Sequence, residues 1–151
     1  MDTTQRPRGC TNLKLRQLTR LVTQHYDSEM AKTGLKTTQY SLLSHIQTLG
    51  PVQPGELARA MRMDASTLTR NLKPLQDAGW VDLLPGPNAR SRIVQLTPAG
   101  LAKRQEAQRH WRIAQESFNE RVGPAHVVAL HALIDETVRQ LDHDHDAEGL
   151  A

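Results

Sequence analysis

Two short helical patterns separated by three residues constrain this chain most. Pro54 opens the first at a helix position where a missing N–H costs nothing, and Leu57, Ala58 and Met61 follow at the spacing of one buried face. Arg62-Met63-Asp64 makes the turn. The second pattern runs from Ala65 to Ala78, with Asp64 as its N-cap, Leu68, Leu72 and Leu75 directed inward, and Gly79 supplying left-handed backbone at its end. This is helix-turn-helix spacing. Beyond it, Trp80 to Leu84 and Arg92 to Leu96 alternate as two strands around the turn residues Pro85-Gly86-Pro87-Asn88, which predicts a β-hairpin.

Helical patterns flank this unit on both sides. After a polar arm at 1–9, apolar residues recur at Leu18, Leu21, Val22, Tyr26 and Met30, and the pattern ends before Gly34. Thr37 or Thr38 is placed to cap a second helix carrying Leu42, Leu43, Ile46 and Leu49, which Gly50-Pro51 terminates. Thr97-Pro98 starts another, running past Trp111, Ala114 and Phe118 to the break at Gly123-Pro124. A last helix bears Val127, Leu130, Leu133, Ile134, Val138 and Leu141, a stripe close to heptad spacing that needs a partner helix. The expected fold is mainly α with a small β-hairpin: a winged helix-turn-helix lobe at 51–97, with N- and C-terminal dimerisation helices at 11–33 and 124–142. A chain of 151 residues buries one core, so 1–151 is expected to be a single domain, with 143–151 a flexible tail.

Charge is unevenly distributed. The chain carries 19 Lys plus Arg against 16 Asp plus Glu, but Arg59, Arg62, Arg70, Lys73, Arg90 and Arg92 face only Asp64, Asp77 and Asp82 over the central segment, whereas the end is acidic. A basic centre points to a polyanionic partner. No apolar run reaches the roughly 18 residues of a membrane span, and no secretory leader is recognisable, so a cytoplasmic protein is expected. The lone cysteine, Cys10, excludes an internal disulfide. There is no GxSxG elbow, phosphate-binding glycine loop, HExxH or paired-cysteine zinc spacing, so neither an enzyme nor a cofactor is expected. His143 and His145 alternate with carboxylates, but they lack a fixed scaffold and are read as a frayed terminus rather than a metal site.

A helix that enters the major groove presents small or hydrogen-bonding side chains in its first two turns, because bulky apolar ones strand the base-edge donors and acceptors. Ala65, Ser66, Thr67, Thr69, Arg70 and Lys73 fit this requirement. Arg70 is the leading candidate for a base contact, since its fork matches guanine N7 and O6, while Ser66 and Thr67 suit bases or phosphates. Pro74 removes a helical bond within this segment and predicts a bend.

The stretches "STLTRNLKPL", "AGWV", "NARSR" and "LTPAG" resemble the MarR family of bacterial winged helix-turn-helix regulators, and the similarity extends from about Leu13 to Leu141. The resemblance implies double-stranded DNA as partner, bound at an inverted-repeat operator by a homodimer, most often for repression. It implies that Arg90 enters the minor groove and that Arg92 holds a phosphate. The family usually has an aspartate that orients the tip arginine, where this chain has Asn88. Such proteins commonly release DNA when a small aromatic acid binds, and the matching residues here are Arg16, Arg20, Tyr40, Leu43 and Ser44, with His25, His45 and Trp111 as further lining. The alternative for these residues is an ordinary ion pair for each arginine and a core position for Tyr40. Two other readings stand beside the ligand-released repressor: thiol-based redox sensing through Cys10, and a winged-helix module that binds protein.

Overall fold

The computed structural model describes residues 6–148, with side chains through Asp142. Its helices and strands follow in the order α1 (Thr11–Met30), a 3-10 turn (Ala31–Thr33), α2 (Thr37–Leu49), α3 (Pro54–Ala60), α4 (Ala65–Asp77), β1 (Val81–Pro85), β2 (Arg92–Leu96), α5 (Pro98–Val122) and α6 (Pro124–Glu148). The chain divides into two compact units, Met1–Ala114 and Gln115–Ala151.

The first unit holds one core, built where the apolar faces of α2, α3 and α4 meet the hairpin. Leu42, Leu43, Ile46, Leu57, Leu68, Leu72, Leu75, Val81 and Val94 are all buried, joined by Met30 and Tyr40. The periodicity selects these positions, and burying each such side chain stabilises by about 1.5–3 kcal/mol before entropy is counted. The same spacing also selects Leu49, Leu18 and Leu21, yet Leu49 is 44% exposed and the other two are exposed on α1. Leu49 lies in the last turn of α2, one position from Gly50, where the chain leaves the core.

Several boundaries differ from the sequence reading, including the end of α4 at Asp77 rather than Ala78. Lys36, not Thr37 or Thr38, is the N-cap of α2, and the Gln39 side chain accepts the Lys36 amide hydrogen at 2.9 Å. Thr37 is instead the first helical residue, and its amide donates to Asp27 Oδ1 at 2.7 Å, which ties α2 to α1. β1 starts at Val81 rather than Trp80 and takes in Pro85 at its end, opposite Arg92; proline is tolerated there because a strand end needs no further ladder donor. α6 continues to Glu148, six residues past the expected limit at 142. The side chains of His143 and His145 lie outside the described residues, as do residues 149–151.

β1 and β2 pair antiparallel with Val81 opposite Leu96 and Leu83 opposite Val94. Val52 joins β2 through a two-way bridge to Val94, which fixes the start of α3 against the hairpin. α5 begins as its sequence dictates: Thr97 Oγ1 accepts the Gly100 amide hydrogen at 3.0 Å and donates to the Gly79 carbonyl at 2.6 Å. Gly100 is buried so tightly against Trp80 that a Cβ there would overlap the Trp80 carbonyl.

Along the first part of α5, His110 Nδ1 lies 2.9 Å from Glu29 Oε1 on α1, and Lys103 donates to the Thr33 carbonyl at 2.8 Å. The second unit comprises the end of α5 and α6. Val127 is buried there, whereas Val128, Leu133 and Leu141 are 70%, 68% and 63% exposed. Among the described residues no helix is long and apolar enough to cross a membrane.

Candidate nucleic-acid interface

α4 divides its residues sharply between two faces. Leu68, Leu72 and Leu75 are buried, and Ala65, Ser66, Thr69, Arg70 and Lys73 are exposed on the other side, with Thr67 between. The helix begins where it does because Asp64, in extended backbone, accepts the Thr67 amide hydrogen at 2.7 Å. The turn before it includes Arg62 at φ 53°, a left-handed conformation that tightens the reversal between α3 and α4. α4 runs unbroken through Pro74 to Asp77.

The polar cluster at the tip of α4 is already organised. Ser66 Oγ donates to Asp64 Oδ1 at 2.7 Å, and Thr67 Oγ1 donates to Asp64 Oδ2 at 2.9 Å. The backbone hydrogen bond from Thr67, then the hydroxyls of Ser66 and Thr67, hold the Asp64 carboxyl down to about 2. Both hydroxyl hydrogens are therefore committed inward. What Ser66 and Thr67 offer outward is acceptor lone pairs, which suit the N–H donors of base edges better than acceptor-only phosphates.

The cations of this face differ in their freedom. Among the described residues Arg70 Nη2 reaches only Thr67 Oγ1, at 3.4 Å, which leaves most of its donor fork available. Lys73 pairs with Asp77 at 2.7 Å, an exposed pair of the kind that contributes about 0–1 kcal/mol and exchanges readily for another anion. Thr69 Oγ1 donates to the Ala65 carbonyl.

The hairpin tip is shaped by Asn88. Its Oδ1 accepts the backbone N–H groups of Arg90 at 3.1 Å and Ser91 at 3.0 Å, while Ser91 Oγ donates to the Asn88 carbonyl. The asparagine thus fixes the backbone that carries Arg90 without using a charge. Arg90 and Arg92 are exposed, and neither guanidinium is paired with a carboxylate among the described residues.

The residues expected to hold a ligand differ in burial. Arg16 and Arg20 lie exposed on α1, whereas Tyr40 and Leu43 are core residues, with Leu43 fully buried. Tyr40 packs near Trp111 with ring centroids 6.2 Å apart. His25 Nε2 donates to the Ala114 carbonyl at 2.9 Å, and His45 Nδ1 to the Ser41 carbonyl at 2.8 Å. Ser44 is half-buried and accepts from Arg104 Nε at 3.3 Å. Arg104 is a residue the sequence reading missed. Its only signal is its position seven residues before Trp111, which places both on one face of α5.

Cys10 is exposed at the N-cap of α1.

The geometry matches that of known regulators. The MarR family profile matches residues 33–91. The HTH-type transcriptional regulator YwoH of Bacillus subtilis is 30% identical over 93 residues, covering 62% of this chain and 68% of that protein. The multiple antibiotic resistance protein MarR of Salmonella typhimurium is 36% identical over 74 residues, 48% of this chain and about half, 51%, of its own length. Among solved structures, the Mycobacterium tuberculosis regulator MosR in complex with DNA superposes with a TM-score of 0.75 at 30% identity, over 88% of this chain and 98% of that one. MarR of Escherichia coli complexed with operator DNA has the same fold, with a TM-score of 0.76 at 21% identity over 83% and 91% of the two chains. The chain therefore belongs to the MarR family of transcriptional regulators, and not to a class of enzymes.

Proposed function

We propose that this protein is a transcriptional repressor that binds an inverted-repeat DNA operator as a homodimer and is released by a small aromatic carboxylate. One observation carries the DNA reading: α4 buries three leucines and turns Ser66, Thr67, Thr69 and the largely unengaged fork of Arg70 outward. A major groove admits such a helix, and Arg70 then suits guanine. Arg90, at the tip that Asn88 shapes, serves the minor groove, and Arg92 a phosphate. Lys73 exchanges Asp77 for the DNA backbone.

A second module is needed because one buries little surface, whereas two about one helical turn apart hold successive half-sites. The exposed apolar residues of α1 and α6 supply the natural seam. For the effector, the half-buried Arg104 with Ser44 is a better polar end than Arg16 or Arg20. Its guanidinium meets a hydroxyl rather than a carboxylate, so a ligand carboxylate gains a charge-assisted bond there. Tyr40 and Leu43 act behind it as packing. The exposure of Cys10 at the N-cap of α1 favours a second reading, peroxide sensing through this thiol; an unaltered peroxide response in Cys10→Ser removes it.

Selection of duplexes from a random pool by the full chain tests the main proposal. The account expects an enriched inverted repeat with half-site centres about one turn apart. Enrichment of no motif, or of a single unrepeated one, counts against it.

A further inference from the structure

Between the start of α2 and the outer face of α4 lies a cleft of about 160 Å³, bordered by Lys36, Thr38 and Gln39 on one side and Arg70 and Asn71 on the other, with the buried Leu42 as floor. Among the described residues no carboxylate lines it. The lysines of the first unit that have close acidic neighbours are spent on them, as Lys32 with Glu29, Lys73 with Asp77 and Lys103 with Glu106 show. Lys36 is exposed and its ammonium has no such partner among the described residues. An unpaired lysine therefore borders a small polar hollow beside the helix that faces DNA in the proposed function.

We infer that this cleft seats a phosphate of the DNA backbone, held by Lys36 and Thr38 from α2 while Arg70 on the opposite rim stays with its base, so that the protein grips the duplex through α2 as well as through α4 and the hairpin. The inference rests on the DNA reading given above. Size selects the occupant: small-molecule sites occupy about 300–1,000 Å³, and this cleft is smaller, while a phosphate on a continuous backbone needs only its oxygens inserted. Chemistry agrees, since every polar side chain on the border has N–H or O–H groups to donate. Lys36 acts as a point charge for position and affinity, not for sequence. Its location as the N-cap of α2 places it on rigid backbone, where Gln39 holds its amide.

The test is duplex binding by the full chain, followed by fluorescence anisotropy across a salt series, with a mixed-sequence duplex of about three helical turns. Each phosphate neutralised contributes about 0.9 to the slope of log affinity against log salt. Lys36→Ala is expected to lower the slope by about that amount per protomer and to weaken binding about 5- to 10-fold near 0.1 M salt. Lys36→Arg restores the slope, and Lys32→Ala, whose charge is already paired, leaves it unchanged. A wild-type slope in Lys36→Ala, while Arg70→Ala still loses affinity, overturns this inference and spares the DNA reading. Absence of duplex binding by the wild type overturns both. Saturable binding of inorganic phosphate that requires Lys36, with duplex affinity indifferent to it, overturns the inference in favour of a free-anion site. Because the Lys36 side chain is exposed, Lys36→Ala is expected to melt as the wild type does.

Discussion

The Thr67 amide hydrogen lies on Asp64 Oδ1 at 2.7 Å, and the two hydroxyls that flank it point at the same carboxylate. This arrangement starts α4 and sets which hydrogen-bonding groups its tip presents. It also makes the cap pH-sensitive. The Asp64 carboxyl is held down to about 2, below the ordinary aspartate value near 3.9, so its stabilisation is complete above that ordinary value and is lost as pH falls toward about 2. Thermal melts followed by circular dichroism should show Asp64→Asn less stable than wild type at neutral pH, with the gap closing as pH approaches 2. A gap that is independent of pH would show that the charge contributes nothing.

Gly100 has no room for a side chain, because a Cβ would overlap the carbonyl of Trp80. That carbonyl also accepts the Thr97 amide hydrogen at 3.1 Å, so it has little freedom to retreat. Gly100→Ala should cost about 1–3 kcal/mol, as overpacking does, measured by urea unfolding. Leu68→Ala, which empties a site that is 1% exposed, should cost about 2–5 kcal/mol.

Much of this was legible in the sequence, and the rest was hidden for definite reasons. Leu57, Leu68, Leu72 and Leu75 announce themselves because helical period and burial coincide, and Asp64, Thr97 and Gly79 because capping chemistry is local. Lys36 as a cap was not legible: the bond that stabilises it comes from Gln39, and the Asp27 that occupies the next amide lies ten residues away. How deeply Tyr40 and Leu43 are buried was not legible, because position along a helix says which face a residue shares, not what that face meets. Arg104 and Lys36 escaped notice because linear charge counting does not register which cations lack a carboxylate partner in three dimensions among the described residues.

Leu133 and Leu141 on α6 are about two-thirds exposed, a condition that an interface between two copies removes. Light scattering should give a mass of two chains for the wild type and a shift toward one chain for Leu133→Glu. A wild-type mass near one chain contradicts the homodimer.

Arg104 donates to Ser44 Oγ from a half-buried position. If a ligand carboxylate replaces that hydroxyl as partner, a charge-assisted bond worth about 1.5–3 kcal/mol is at stake. The concentration of 2-hydroxybenzoate needed to displace the protein from its operator should then rise about 10- to 100-fold in Arg104→Ala. Displacement that is equally effective in the variant would place the effector elsewhere.

The central claim is that α4 and the hairpin tip read duplex DNA, and the most direct measurement is the affinity of the wild type, Arg70→Ala and Arg90→Ala for the selected operator duplex. The account predicts tight binding that weakens steeply with salt, a loss of about 1–3 kcal/mol in Arg70→Ala with relaxed preference at one base pair of each half-site, and weakened binding in Arg90→Ala. Operator affinity unchanged in both variants, or wild-type binding that does not respond to salt, would contradict it.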